Sequence, residues 1–96
     1  MEHFIAFMRL TDEGIKTVKT TTQIIGKAQK LLEDQGGKMT DCYLTMGEVD
    51  YVAIFEAPTD DVAISFVLSL GGTGYVRTTT MKAFKTDKIE KMAIVI

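Results

Sequence analysis

The chain has 96 residues, with 11 Lys or Arg, 13 Asp or Glu and a formal charge of −2; 46% are hydrophobic and 25% charged. That balance excludes a disordered or low-complexity protein, the slight acidity argues against non-specific nucleic-acid binding, and the length fits one domain. The lone Cys42 excludes an internal disulfide framework and a multi-cysteine metal site, and no apolar run approaches the roughly 20 residues of a membrane helix. Met1-Glu2-His3 puts no basic region ahead of an apolar stretch, so no signal peptide is expected and the cytoplasm is the expected location.

In chain order, His3 to Arg9 has strand length and aromatic content. Its alternating sets, Phe4/Ala6/Met8 and Ile5/Phe7, are both apolar, as in a strand covered on both faces. Thr11 followed by Asp12-Glu13 suits a helix start. Ile15, Val18, Ile25, Ala28 and Leu32 then form a helical stripe, with Ile24 and Leu31 beside it. Thr20-Thr21-Thr22, three β-branched residues, predicts a break, with the stronger helix over about 22–35 and Gly36-Gly37 as its stop. Lys38 to Met46 reads as a second strand, Gly47-Glu48 as a tight connection and Asp50 to Glu56 as a third strand of the same hairpin. Pro58 ends it and Thr59 caps a helix carrying Val62, Ala63, Phe66, Val67 and Leu70, which Gly71-Gly72 and Gly74 close. Tyr75 to Phe84 is a fourth strand, Thr86 to Lys91 a helical turn, and Ala93 to Ile96 an apolar end with strand propensity.

The order strand–helix–strand–strand–helix–strand predicts an α+β, ferredoxin-like βαββαβ domain. Its four-stranded antiparallel sheet carries both helices on one face. A single domain over residues 1–96 is expected, with a core of about 3–85 and a C-terminal extension over 86–96. Two helices roof one side of the sheet only. A second copy, in a homodimer or higher homo-oligomer, is the simplest cover for the other apolar face, and the C-terminal end can add to a neighbour's sheet edge.

Three segments resemble the GYD domain family. They are Leu10-Thr11-Asp12-Glu13-Gly14-Ile15-Lys16, Tyr43 through Pro58 around Gly47-Glu48-Val49-Asp50-Tyr51, and Gly71-Gly72-Thr73-Gly74-Tyr75-Val76-Arg77-Thr78-Thr79-Thr80. The resemblance runs from about Phe4 to Phe84. The family usually has an aromatic residue before the Asp, where this chain has Val49; an aromatic follows at Tyr51. The resemblance implies dimeric α/β-barrel packing, sheet against sheet. It implies no activity, because relatives by fold include monooxygenases, haem-binding enzymes, isomerases and binding or regulatory modules.

The candidate site residues each carry two readings. Glu48 or Asp50 can act as a general base at a cleft mouth; equally, Gly47 supplies an unusual backbone angle and Asp50 bonds nearby amides. Arg77 can clamp an anionic substrate or pair with Asp50 or Glu56. Tyr43, Tyr51 and Tyr75, all placed on strands, can line a cavity for a small planar ligand or pack in core and interface. Gly71-Gly72-Thr73-Gly74 precedes a strand and lacks the Lys-Ser or Lys-Thr of a phosphate loop, so it reads as a turn. His3 lacks neighbours at metal-ligand spacing and reads as a strand-edge residue; Cys42 reads as small buried filler, and Met8, Met39, Met46 and Met81 as adaptable core. Lys27, Lys30, Glu33 and Asp34 form a solvated helix face. No metal and no cofactor is expected. The sequence favours an oligomeric small-molecule-binding or regulatory module without demonstrated catalysis; the alternative is a cofactor-independent monooxygenase or isomerase acting on a small aromatic or lactone, with Glu48 or Asp50 as base, Arg77 as anion stabiliser and Tyr51 as positioner.

Overall fold

A computed structural model describes residues 1–95 of the chain. Strand β1 (Glu2–Leu10) runs into a short helix α1 (Asp12–Lys16) and a longer α2 (Val18–Asp34). The hairpin strands β2 (Lys38–Leu44) and β3 (Tyr51–Ala57) follow, then α3 (Asp60–Gly72), β4 (Val76–Ala83) and a 3-10 helix over Thr86–Lys91. The sheet order is β2-β3-β1-β4, and every neighbouring pair is antiparallel. This is the ferredoxin-like arrangement, with the two most apolar strands at the centre of the sheet.

The period of two in those strands decides the core. Phe4, Ala6 and Met8 of β1 and Tyr51, Ala53, Phe55 and Ala57 of β3 are buried beneath the helices. Ile25, Ala28 and Leu32 of α2 and Ala63, Phe66 and Leu70 of α3 meet them from above. Phe55 is the hub: its ring stacks on Phe4 at 5.2 Å and meets Phe66 edge to face at 4.9 Å. The starts of α1 and α3 are capped by threonine, Thr11 Oγ1 accepting from Gly14 N at 3.1 Å and Thr59 Oγ1 from Val62 N at 3.2 Å.

Among the described residues, the packed core under α2 and α3 includes none of the residues of the opposite face of the sheet. The strand registers align Asp41, Ile54, Ile5 and Met81 in one row and Tyr43, Val52, Phe7 and Thr79 in the next. Ile5, Phe7, Val52 and Ile54 are half-buried, and Tyr43 and Met81 are exposed. Polar residues bound these rows: Lys38, Glu56 and His3 at one end, Arg9 and Arg77 at the other.

Several local expectations are corrected. The helical break falls at Thr17 (φ −130°, ψ 48°), while Thr20 to Thr22 are helical. The reason is chemical: Thr21 Oγ1 donates to the carbonyls of Gly14 (3.0 Å) and Thr17 (3.2 Å), and Thr22 Oγ1 to that of Val18 (3.0 Å). These hydroxyls serve carbonyls of the preceding turn, which offsets the low propensity of the run. Upstream of this anchor the stripe fails, for Ile15 and Val18 are exposed. The hairpin connection is not a tight turn but a loop over residues 45–50, which includes Asp50. Tyr75 and Phe84 flank β4 rather than belonging to it. Residues 92–95 form no strand, and Ile94 and Val95 are exposed; Ile96 lies outside the described residues. Met8 and Met39 are core, whereas Met46 and Met81 are exposed.

Candidate functional site

The loop between β2 and β3 is long for a hairpin and is folded back onto the end of β1. Asp50 makes most of that attachment. Its Oδ2 accepts from Leu10 N at 2.8 Å, its amide donates to Met8 O at 2.9 Å, and its carbonyl accepts from Thr45 N at 2.8 Å. Thr45 Oγ1 closes the loop by donating to Val49 O at 2.7 Å. Gly47, at φ +142°, makes the reversal that a side chain would resist.

Between this loop and the open sheet face lies a cleft of about 390 Å³. Phe7 and Thr79 form its floor, Met46, Gly47 and Val49 its lip, and Arg9 and Glu48 its charged groups, with Thr45 behind. Arg9 is fixed there, because its Nε donates to Glu48 O at 2.9 Å. No carboxylate pairs with Arg9 among the described residues; the ion pairs elsewhere join Lys16 to Glu13, and Lys82 to Glu2 and Asp60, and His3 Nδ1 lies 3.4 Å from Glu56 Oε1. The cleft thus offers a guanidinium fork, a carboxylate, a hydroxyl and an apolar floor within one small volume.

The sequence-predicted residues are distributed unevenly around it. Glu48 lines the cleft; Asp50 supports the loop from behind and does not line it. Arg77 pairs with neither Asp50 nor Glu56: its Nη1 donates to the carbonyls of Gly71 (3.0 Å) and Val76 (3.1 Å), drawn to the negative end of α3. The three tyrosines are not gathered around one cavity. Tyr43 lies on the open face with its hydroxyl 3.4 Å from Asp41 Oδ1. Tyr51 is buried under α2, 3.0 Å from Thr22 Oγ1. Tyr75 sits in the turn before β4, where its carbonyl accepts from Thr11 N at 3.0 Å.

Cys42 is exposed rather than buried, on the edge strand, where it lines a hollow between α2 and β2 with Ile25, Met39 and Leu44. Partial desolvation raises the pKa of its thiol, the opposite of what a nucleophile needs. Among the described residues, no group of three His, Cys, Asp or Glu is placed to hold a metal ion. Likewise, no helix is long and apolar enough to cross a membrane.

Arg9, Phe7, Met46 and Thr79 are not among the candidate site residues that the sequence offers. The signal for Arg9 was present: one more step along the alternation of Ile5 and Phe7 places it on the same face.

An antiparallel sheet in the order β2-β3-β1-β4 with helices on one side defines an α+β, ferredoxin-like protein. The model of the GYD domain matches residues 4–93, and the chain belongs to that family. No curated protein matches the chain. Among solved structures it is similar to MtbAldR (TM-score 0.69, 16% identity, covering 88% of this chain and 52% of that one). It is also similar to an AsnC family transcriptional regulator from Agrobacterium tumefaciens (0.66, 14%, 88% and 51%). A third is the feast or famine regulatory protein from M. tuberculosis complexed with L-methionine (0.57, 19%, 90% and 52%). The chain spans about half the length of each of these, and at such identities the likeness is one of fold.

Proposed function

We propose that the protein is a regulatory module that binds a small amino acid or related zwitterion and works as a homo-oligomer in the cytoplasm. The cleft beside the 45–50 loop carries this reading, because a basic and an acidic residue, Arg9 and Glu48, line it together with the apolar Phe7, Met46 and Val49. Arg9 takes the ligand's carboxylate through its free Nη groups, a bidentate geometry that a lysine would not reproduce. The Glu48 carboxylate takes the ammonium, and Phe7, Met46 and Val49 take an apolar side chain. A volume of about 390 Å³ suits a ligand of this size. The L-methionine in the complex of the M. tuberculosis protein, which shares the fold, is a molecule of this type.

Asp50, the other acid considered for catalysis, has one carboxylate oxygen committed to the Leu10 amide, which favours binding over proton transfer. The open apolar face favours assembly, since exposed patches of that kind in stable proteins mark contact surfaces. Its apolar centre of Ile5, Phe7, Val52 and Ile54, set between polar ends, suits a self-complementary contact with a second copy.

Calorimetric titration with L-methionine and L-leucine tests the reading. Saturable binding is expected, weakened about tenfold or more by Arg9→Gln, since charge-assisted hydrogen bonds are worth roughly 1.5–3 kcal/mol. Folded protein that gives no heat with any of the common amino acids would sink it.

A further inference from the structure

The C-terminal 3-10 helix has a charge pattern that the cleft at Arg9 does not use. A 3-10 helix turns once every three residues, so side chains three apart eclipse. Lys88 and Lys91 therefore share one edge, with Lys85 at the N-cap just before it, while Asp87 and Glu90 form a second edge and Thr86 and Ile89 a third. The basic edge faces a second cleft of about 370 Å³, which all three lysines line together with His3, Phe84 and Asp87. Register places this cleft at the other end of β1 and β4 from Arg9, because Ala83 lies opposite His3 and Arg77 opposite Arg9.

The nearby acids leave the lysines an excess of positive charge. Glu2, which also lines the cleft, is 3.3 Å from Lys82 Nζ, and Asp60 holds the same ammonium at 2.9 Å. Those two partners, Asp60 first, raise the Lys82 pKa above its ordinary value, so it stays charged. Glu56, beside the cleft, lies 3.4 Å from His3 Nδ1. Asp87 is then the one lining carboxylate outside an ion pair among the described residues, against three lysines. Lys88 is seated with its ammonium 4.3 Å from the centre of the Phe84 ring, which orders it at the cleft wall. In a chain of formal charge −2, three aligned ammoniums around a concavity form a local reversal of field.

We infer that this cleft binds a phosphate monoester on a small soluble molecule, with Lys85, Lys88 and Lys91 supplying the hydrogen bonds. A dianion relieves the mutual repulsion of the lysines, successive ones being three residues and about 6 Å apart at the roughly 2.0 Å rise of a 3-10 helix. The apolar wall at Phe84 and Ala83 receives the carbon skeleton. The lysines are exposed, so their replacement is expected to leave the fold intact.

The test is an amide chemical-shift titration at constant ionic strength with glycerol 3-phosphate and with inorganic phosphate. Sulfate and chloride serve as controls, and vesicles of phosphatidylcholine with phosphatidic acid as a further probe. Saturable shifts over residues 84–91 are expected with both phosphates. The triple variant Lys85→Gln/Lys88→Gln/Lys91→Gln, checked for an unchanged melting temperature, should weaken binding by about tenfold or more through lost charge-assisted bonds. Arg9→Gln should leave it unchanged, which separates this site from the first cleft. Shifts that stay linear, that sulfate reproduces at equal strength, that survive in the triple variant, or binding to vesicles without competition from glycerol 3-phosphate, would each overturn the assignment.

Discussion

Two threonines with the same side chain have opposite expectations. Thr21 is wholly buried in α2, and its hydroxyl serves the carbonyls of Gly14 and Thr17. Thr80 on β4 has a buried hydroxyl without a partner. An unmade hydrogen bond in a shielded place costs more than a made one gains. Thr21→Val should therefore lower stability by about 1–2 kcal/mol, and Thr80→Val should leave it unchanged or raise it by up to about 1 kcal/mol, both read from urea midpoints. Equal losses at both positions would contradict the assignment. Asp50 belongs to the same scale. Asp50→Ala strips the Leu10 amide of its acceptor and should cost about 1–3 kcal/mol in urea unfolding, without abolishing the fold. The Cys42 thiol, with its pKa raised by desolvation, should be alkylated by iodoacetamide near neutral pH more slowly than a small free thiol. The gap should close as the pH rises through the thiol's titration.

At the scale of elements, the chain announced its strands and main helices through periodicity, and the structure places them close to those limits. The strand alternation was legible because a two-residue period survives in a short segment, as β3 shows with Tyr51, Ala53 and Phe55 inward and Val52 and Ile54 outward. The break at Thr17 was not legible, because the hydroxyls that hold Thr21 and Thr22 in the helix bond to carbonyls whose positions the fold decides. The 45–50 loop was misjudged for a similar reason. Gly47-Glu48 looks like a turn, but Asp50 is drawn out of the hairpin by Leu10, which lies forty residues away. The cleft was half visible: Glu48 stood out as part of a motif, while Arg9 gains its place only when β1 meets that loop. Helix α1 also depends on a distant contact. Gly14 lies so close to the Tyr75 carbonyl that a methyl group there would collide with backbone. Gly14→Ala should cost about 2–4 kcal/mol despite alanine's better helix propensity, and thermal unfolding measures it.

For the molecule as a whole, the unroofed side of the sheet is the dominant feature. Ile5, Val52 and Ile54 lie at its centre, away from both clefts. If a second copy covers them, Ile54→Lys should shift the species seen in sedimentation equilibrium toward the monomer, while circular dichroism stays that of the folded chain. A monomer for the unaltered protein at micromolar concentration would remove the need for that contact. One residue joins the two halves through hydrogen bonds. Thr11 caps α1 through Gly14 N, donates its hydroxyl to Gly74 O at 2.7 Å and its amide to Tyr75 O at 3.0 Å. The junction after β1 and the junction before β4 are thus a single knot, so neither half can loosen while the other stays shut. The Thr11 amide should trade its hydrogen for deuterium only when the entire chain comes apart, as slowly as the most protected amides at the centre of β3.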